Sequence, residues 1–439
     1  PLAVVLPNEV SQIKKVLEIC RKNKTPVVTR GAGTGLSGGA LPLKDSVVLG
    51  LSKLTEVISI NPEMQTAIVQ PGVRNLAISE AAEEYGLYYA PDPSSQIACT
   101  IGGNVAENAG GVHCLKYGLT VQNIESIKIL TIDGDELVLS RQDEGLGLLA
   151  LMTGSEGLLG VITEITVKLT KKPQLAKLVM AGFDSVRDCA TAVAEVIKNG
   201  VIPAGLEMMD EFAIDAAEQF AKPGYPLEAK ALLLCELDGS EDLVNHDIGV
   251  VVSLLSKATS LRVSETEEER LLLWKGRKSA FPAVGRLSPD YYCMDGTIPK
   301  RHLADVLEKI NSLSKHYSLR VANVFHAGDG NLHPLILYDA GIPGELEKTE
   351  EFGNEILKIC IDAGGSITGE HGVGVEKLDA MCYQFSNAEL DVFHQIKAAF
   401  DPDSLLNPGK AVPTLHRCAE LGNMHVHHGK LPHPELDRF

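Results

Sequence analysis

At 439 residues the chain is longer than one hydrophobic core usually serves, so two domains or more are expected. An excess of 58 acidic over 40 basic side chains, formally −18, argues against a nucleic-acid binder and against attachment to an anionic membrane surface. A hydrophobic content of 44% without an apolar run near ~18 residues excludes a helical membrane span, and nine scattered cysteines without a CxxC pair fit a reducing compartment and exclude a self-contained iron–sulfur or Cys₄ zinc site.

The chain opens on Pro1 rather than Met, so the native start, with any organellar leader, is expected upstream; a cytoplasmic location is expected for the rest. Asn8 is placed to cap a helix whose apolar positions Val10, Ile13, Val16, Leu17 and Cys20 recur at helical spacing. Pro26 to Thr29 reads as a short buried strand that delivers the chain into Arg30-Gly31-Ala32-Gly33-Thr34-Gly35-Leu36-Ser37-Gly38-Gly39. Gly33, Gly35 and Gly38 spell GxGxxG after a strand, the dinucleotide fingerprint of a Rossmann unit. Pro42 and a second strand from Ser46 leave no room for the crossover helix that unit needs. The expectation is a strand–loop–strand phosphate cradle, with a purely structural turn as the alternative.

Val57 to Ile60 and Thr66 to Gln70 read as a hairpin, and Asn75 to Tyr85 as a helix stopped by Gly86. After Pro91 to Ser95 comes a second glycine-rich segment, Thr100 to Gly111, suited to close approach of a flat ring or a pyrophosphate. Two such cradles imply a large cofactor. The alternation of Gly160 to Leu169 closes the unit, and Lys171-Lys172-Pro173 marks a boundary, giving a first domain over 1–173.

From 174 to 365 strands (178–180, 231–235, 292–298, 320–325) alternate with amphipathic helices (241–261 and 300–317 are the clearest), which reads as an α+β domain on a mainly antiparallel sheet. Arg277, beside the apolar run Leu271-Leu272-Leu273-Trp274, is either a bidentate clamp for a carboxylate or part of a solvated helix face.

Phe325 to His333, reading FHAGDGNLH, carries the densest chemistry. A type I′ turn at Asp329-Gly330 would pair His326 directly with His333 and stand both imidazoles on one face, within reach of one ion. Glu370, between Gly369 and His371, offers a third ligand; two imidazoles and a carboxylate suit a zinc- or manganese-like divalent ion with an open position. The alternative is a pair of buried histidines satisfied by backbone. Residues 366–412 include a helix from Leu390 to Phe400, and the tail over 413–439, with His425, His427, His428 and His433, is expected to be mobile rather than a metal site.

Taken together, RGAGTGLSGG, PDPSSQ, TIGGNVAENAGG, TGSEGLLGVIT, DYYCMDGTIP, FHAGDGNLHPLI, GGSITGEHGVG and LNPGK resemble the FAD-dependent 2-hydroxy acid dehydrogenases of the vanillyl-alcohol-oxidase superfamily, closest to the branch of glycolate oxidase (glycolate dehydrogenase) flavin subunits. The resemblance spans about residues 1–412. It implies an FAD-binding domain of two α+β subdomains, an α+β cap domain over the flavin, and a last segment that returns to the cofactor.

It assigns Arg30, Gly31, Ala32, Gly33, Thr34, Gly35 and Leu36 to the FAD pyrophosphate, and Pro91, Ser95, Thr100, Gly102, Gly103, Asn104, Asn108, Gly157, Gly160, Ile162 and Asn407 to further cofactor contacts. It makes His326, His333 and Glu370 metal ligands, His371 the catalytic base and Arg277 the arginine of the substrate carboxylate. Leu335 and Cys293 stand where relatives acting on 2-hydroxyglutarate carry Asn and Lys, which favours glycolate or D-lactate. No histidine lies in the first glycine loop, so the FAD is expected to be non-covalent.

The activity implied is oxidation of a short 2-hydroxy acid to the 2-oxo acid with hydride transfer to FAD. D-lactate and D-2-hydroxyglutarate dehydrogenation are alternatives within the family; a flavin-free metallohydrolase and a non-catalytic FAD-binding subunit are the alternatives outside it. An iron–sulfur partner subunit with a quinone-linked acceptor is the partner the resemblance implies, and through it an association of the cytoplasmic chain with the membrane.

Overall fold

The computed structural model describes residues 1–413; the histidines of the tail lie outside the described residues. The chain forms two compact units. One comprises Pro1–Gly111, Tyr117–Lys172 and the chain from Glu370 onward; the other comprises Val112–Lys116 and Pro173–Gly369. No helix among the described residues is long and apolar enough to cross a membrane.

In the first unit a three-stranded parallel sheet, in the order Ala3–Val5, Val47–Gly50, Val27–Arg30, carries the helix Val10–Lys22. Ile13, Leu17 and Cys20 bury that helix against Val27 and Leu49. The cap differs from expectation: Glu9 is the N-cap and contributes no side-chain bond, while the Asn8 amide donates to Gln12 Oε1 at 3.0 Å. Strands Val27–Arg30 and Val47–Gly50 lie parallel although no helix joins them. The exclusion of a crossover was therefore too strong: residues 31–46 exceed the roughly dozen that a parallel return needs, and they make it as irregular chain.

A five-stranded antiparallel sheet (Val57–Asn61, Thr66–Val69, Val161–Lys168, Ile124–Leu130, Glu136–Ser140) completes this unit. Helices Asn75–Ala82 and Ile101–Glu107 pack on it through Ile78, Ala82, Ile101 and Val105. Thr100 to Gly111 is thus partly helical rather than an open loop, with Thr100 as N-cap and Asn108 left-handed at φ 52°. Leu405–Asn407 returns beside the first sheet: Val27 N–H donates to Leu405 O at 2.7 Å and Asn407 N–H to Val27 O at 2.8 Å.

The second unit is built on a seven-stranded, wholly antiparallel sheet in the order Ser260–Val263, Leu175–Phe183, Ala231–Gly239, Gly205–Asp210, Val321–Phe325, Pro334–Tyr338, Asp290–Cys293. The helix expected over 241–261 ends at Leu254, and Ser260–Val263 is an edge strand. The strand expected over 292–298 ends at Cys293. Gly205–Asp210, a central strand with every residue buried, was not anticipated. Glu207 and Asp210 interrupt its apolar character, which hides it from a hydrophobicity pattern.

The histidine hairpin also departs from its expected register. Val321 faces Ile336, Asn323 faces Pro334, and His326 faces Asn331, so residues 327–330 form the loop and His333 lies diagonal to His326. A type I′ turn needs positive φ at both central residues; Gly330 has φ 86°, but Asp329 is not left-handed. Instead Asp329 Oδ1 accepts the Asn331 N–H at 3.1 Å, and Gly330 O accepts the Ile298 N–H at 2.9 Å. The pairing slides by two residues, an even number, so both imidazoles keep the same face.

Candidate active site

In the first unit, the two glycine segments meet. A Cβ at Gly31 would collide with the Thr100 hydroxyl and lie 3.8 Å from the Gly103 nitrogen. A Cβ at Gly157 would lie 4.0 Å from Thr29 Cβ, and Asn407 donates Nδ2 to Gly39 O at 2.9 Å and to Glu156 O at 2.8 Å. Around these contacts Thr29 Oγ1, Thr100 Oγ1 and Asn407 Oδ1 are buried without a protein partner. Buried hydroxyl and amide oxygens are rarely left unpaired, and three of them bordering two glycine loops fit an extended polar ligand such as FAD. Ala32, Gly33, Thr34, Gly35 and Leu36 stand exposed beyond Arg30, with Leu36 48% accessible.

Other expected cofactor residues have structural duties. Asn104 Oδ1 accepts the Asn75 Nδ2 at 2.9 Å, and the same Asn75 group reaches Pro91 O at 3.1 Å. Asn108 Oδ1 accepts the Val121 N–H at 2.9 Å, Ser95 O accepts the amides of Ala98 and Cys99 at 2.8 Å each, and Gly102 packs on Pro71. Gly160 and Ile162 pack into the sheet, the former facing Ile129 and Leu130.

The Glu370–His371 loop is tied within this unit. Ser37 donates to His371 O at 2.7 Å, and Glu156 accepts the Val373 and Gly374 amides at 2.7 Å each. Burial raises the Glu156 pKa against the pull of those amides and of Lys377 and Lys410. Burial likewise pulls Lys410 down to about 8, opposed by Glu156 and Glu107. Neither Glu156 nor Lys410 carried a sequence signal, because each is defined by what folds over it.

In the second unit, Thr266 caps the helix Glu267–Lys278, whose first turn holds Glu267, Glu268 and Glu269 and whose last turn holds Lys275, Arg277 and Lys278, an order matched to the helix dipole. Arg270, Trp274 and Arg277 fall on one face and meet two buried carboxylates of the sheet. Glu236 takes Arg270 at 2.6 Å, Trp274 Nε1 and His113 Nε2 at 3.0 Å. Glu207, whose strand partner Leu234 is two residues from Glu236, takes Arg277.

Arg277 is 1% accessible, which rules out the solvated helix face. Its Nε and Nη2 reach Glu207 Oε2 at 2.8 and 2.6 Å, while Nη1 is buried without a partner. The other oxygen, Glu207 Oε1, lies 2.8 Å from His326 Nδ1. Burial pushes the Glu207 pKa up, but His326 and Arg277 outweigh it and the carboxyl sits below its usual value, hence ionised. An ionised acceptor there makes Nδ1 of His326 the protonated nitrogen and leaves the lone pair on Nε2.

His326 and His333 are both buried, their ring centroids 5.1 Å apart and their planes nearly perpendicular. His333 Nδ1 faces Met294 O at a long 3.4 Å, which again places the lone pair on Nε2. Imidazoles oriented through Nδ1 by a carboxylate or a carbonyl are the usual support of a metal site, so this pair fits a divalent ion. Phe281 meets His333 edge-on at 6.2 Å, and Cys293 pairs in register with the buried Leu335. Asp295 accepts Asn331 Nδ2 at 2.8 Å, Thr368 Oγ1 at 2.6 Å and the Gly369 N–H at 3.2 Å, which ties the segment leading to Glu370 to the histidine hairpin. Glu207 was missed in the sequence; a lone acid in Leu206-Glu207-Met208-Met209 was the available hint, since a buried carboxylate must be paired.

Residues 1–140 match the FAD binding domain family, and residues 172–411 match the C-terminal domain of FAD linked oxidases. Glycolate oxidase subunit GlcD of Escherichia coli K12 is 61% identical over all of this chain and 89% of its own length; the Bacillus subtilis subunit of that name is 38% identical over 93% and 88%. D-lactate dehydrogenase of Anaerostipes hadrus is 31% identical over 93% and 89%. Among solved structures, p-cresol methylhydroxylase with substrate bound superposes with a TM-score of 0.78 at 18% identity, covering 94% of this chain and 89% of its own, and shares the fold. These matches overturn the flavin-free metallohydrolase alternative. The chain belongs to the FAD-linked oxidases and has the vanillyl-alcohol-oxidase-type fold.

Proposed function

We propose that the chain oxidises a short 2-hydroxy acid, glycolate or D-lactate, to the 2-oxo acid. The observation that carries this reading is Arg277: a fully buried guanidinium that spends Nε and Nη2 on Glu207 and keeps Nη1 unpaired, on the same carboxylate that orients His326. A buried cationic N–H without an acceptor is costly, and a substrate carboxylate supplies the acceptor. The relatives named glycolate oxidase subunit and D-lactate dehydrogenase support the same chemistry.

Arg277 binds the carboxylate and His371 removes the hydroxyl proton onto a ring nitrogen, which leaves the C2 hydrogen to depart with its electron pair. Bound FAD supplies the acceptor for that hydride; Arg30 to Leu36, Thr100, Gly103 and Asn407 would hold it. A divalent ion held by His326, His333 and Glu370 would supply Lewis acidity at the hydroxyl oxygen. Leu335, buried two residues on from His333, and Phe281, edge-on to its ring, give His333 apolar neighbours, which supports a short substrate. A partner subunit carrying iron–sulfur clusters, or a quinone, would take up the electrons from bound FAD; the description of the bacterial relatives as subunits supports a partner subunit.

Anaerobic addition of glycolate or D-lactate to the purified yellow protein should bleach the flavin band near ~450 nm. Retention of the band with both acids would refute the proposal.

A further inference from the structure

Glu207 touches both groups of the second unit on which the proposed function depends, and the inference drawn from it rests on that reading of His326 and Arg277. Its two oxygens have separate partners: Oε1 lies 2.8 Å from His326 Nδ1, and Oε2 accepts Nε and Nη2 of Arg277 at 2.8 and 2.6 Å. The carboxylate is 1% accessible, sits on a central strand, Gly205–Asp210, paired on both sides, and is held by a bond at each oxygen.

We propose that Glu207 is a positioning residue that sets the metal-binding imidazole and the substrate-binding guanidinium from a single rigid carboxylate. At His326 it keeps the proton on Nδ1, so that Nε2 presents its lone pair. At Arg277 two bonds to one oxygen fix the plane of the guanidinium and leave Nη1 as the edge offered to a carboxylate. The registration of hydroxyl against carboxylate in the substrate is then held by one residue, not by two independent supports. A carboxylate serving only the fold would need to satisfy Arg277 alone; the second oxygen on His326 is what a structural ion pair does not require.

Glu207→Gln separates these possibilities, because an amide has one accepting oxygen where two are needed. If that oxygen stays on Arg277, the NH₂ faces His326 Nδ1, forces the proton to Nε2 and removes the ligand lone pair. The measurement is equilibrium dialysis of the EDTA-treated holoflavoprotein against Zn²⁺, with flavin content and melting temperature recorded alongside. The expected result is Zn²⁺ affinity lowered about 10- to 100-fold with FAD retained.

Zinc affinity within threefold of wild type in Glu207→Gln, while His326→Ala loses zinc, overturns the assignment of Glu207 and leaves the metal reading standing. Unchanged zinc binding in both variants removes the metal reading and this inference with it. Should Glu207→Gln fail to fold, the double variant Glu207→Leu/Arg277→Met, which replaces the ion pair by apolar groups, is dialysed in its place. Weakened Zn²⁺ binding there supports the role, and wild-type affinity refutes it.

Discussion

Arg277→Lys is the sharpest test of the substrate site. In the native chain Nε and Nη2 of the planar fork serve Glu207, and Nη1, buried without a partner, is the edge that the proposal gives to the substrate. A lysine ammonium is a single point of charge on a flexible stem, and buried beside Glu207 it stays with that carboxylate, since leaving it unpaired costs several kcal/mol. The fold should therefore hold while the bond to the substrate carboxylate is lost. A hydrogen bond to a charged group contributes about 1.5–3 kcal/mol, which corresponds to roughly a 10- to 150-fold fall in kcat/KM. Because the carboxylate is bound alike in ground and transition states, most of the loss should appear in KM. The assay is steady-state dye reduction with glycolate and with D-lactate, with flavin absorbance confirming that FAD is bound. A KM within twofold of wild type at normal kcat would refute the assignment.

His371→Ala and His333→Ala should each abolish most hydroxy acid-dependent dye reduction while retaining FAD; near-normal turnover in either would remove that residue from the proposed chemistry. Gly103→Ala should separate cofactor binding from folding: a Cβ there meets only the Thr100 hydroxyl at 3.5 Å, and alanine gains up to about 1 kcal/mol in a helix. The apoprotein should melt no lower than wild type yet bind FAD more weakly by fluorescence titration, and equal FAD affinity would show that the flavin does not approach this glycine. Glu236 predicts the acid limb of stability. Burial alone would raise its pKa from 4.5, but His113, Arg270 and Trp274 hold it at about 2. A folded value below the unfolded one gives stabilisation that is complete above about 4.5 and lost as pH falls through about 2, a span of about 3 kcal/mol. Urea unfolding at pH 5 and pH 3 should therefore show a larger acid loss for wild type than for Glu236→Gln; parallel losses would refute it.

Much of the candidate site was legible because its chemistry is local. The glycine loops at 31–39 and 100–111, the imidazoles of His326 and His333 and the Glu370-His371 pair announce themselves through residue type and short spacing. That both histidines share a face followed from the period-two alternation of a strand, and it survived the wrong turn type because the register error was even. The parallel strands around the first cradle carry no such mark, because a parallel return needs chain length and not a helix.

By itself, the sequence disclosed a large cofactor, two glycine cradles and the inventory of candidate ligands, because each cradle and each ligand pair is marked by residue types within about a dozen positions. Tertiary structure alone decided what Arg277 is. Its partner Glu207 lies 70 residues away, and His326 lies 119 residues from that same carboxylate. Which charges a sheet buries together depends on strand order, and no local pattern encodes that order; the orientation of the imidazole and the spare edge of the guanidinium exist only once Gly205–Asp210 is enclosed between its neighbours.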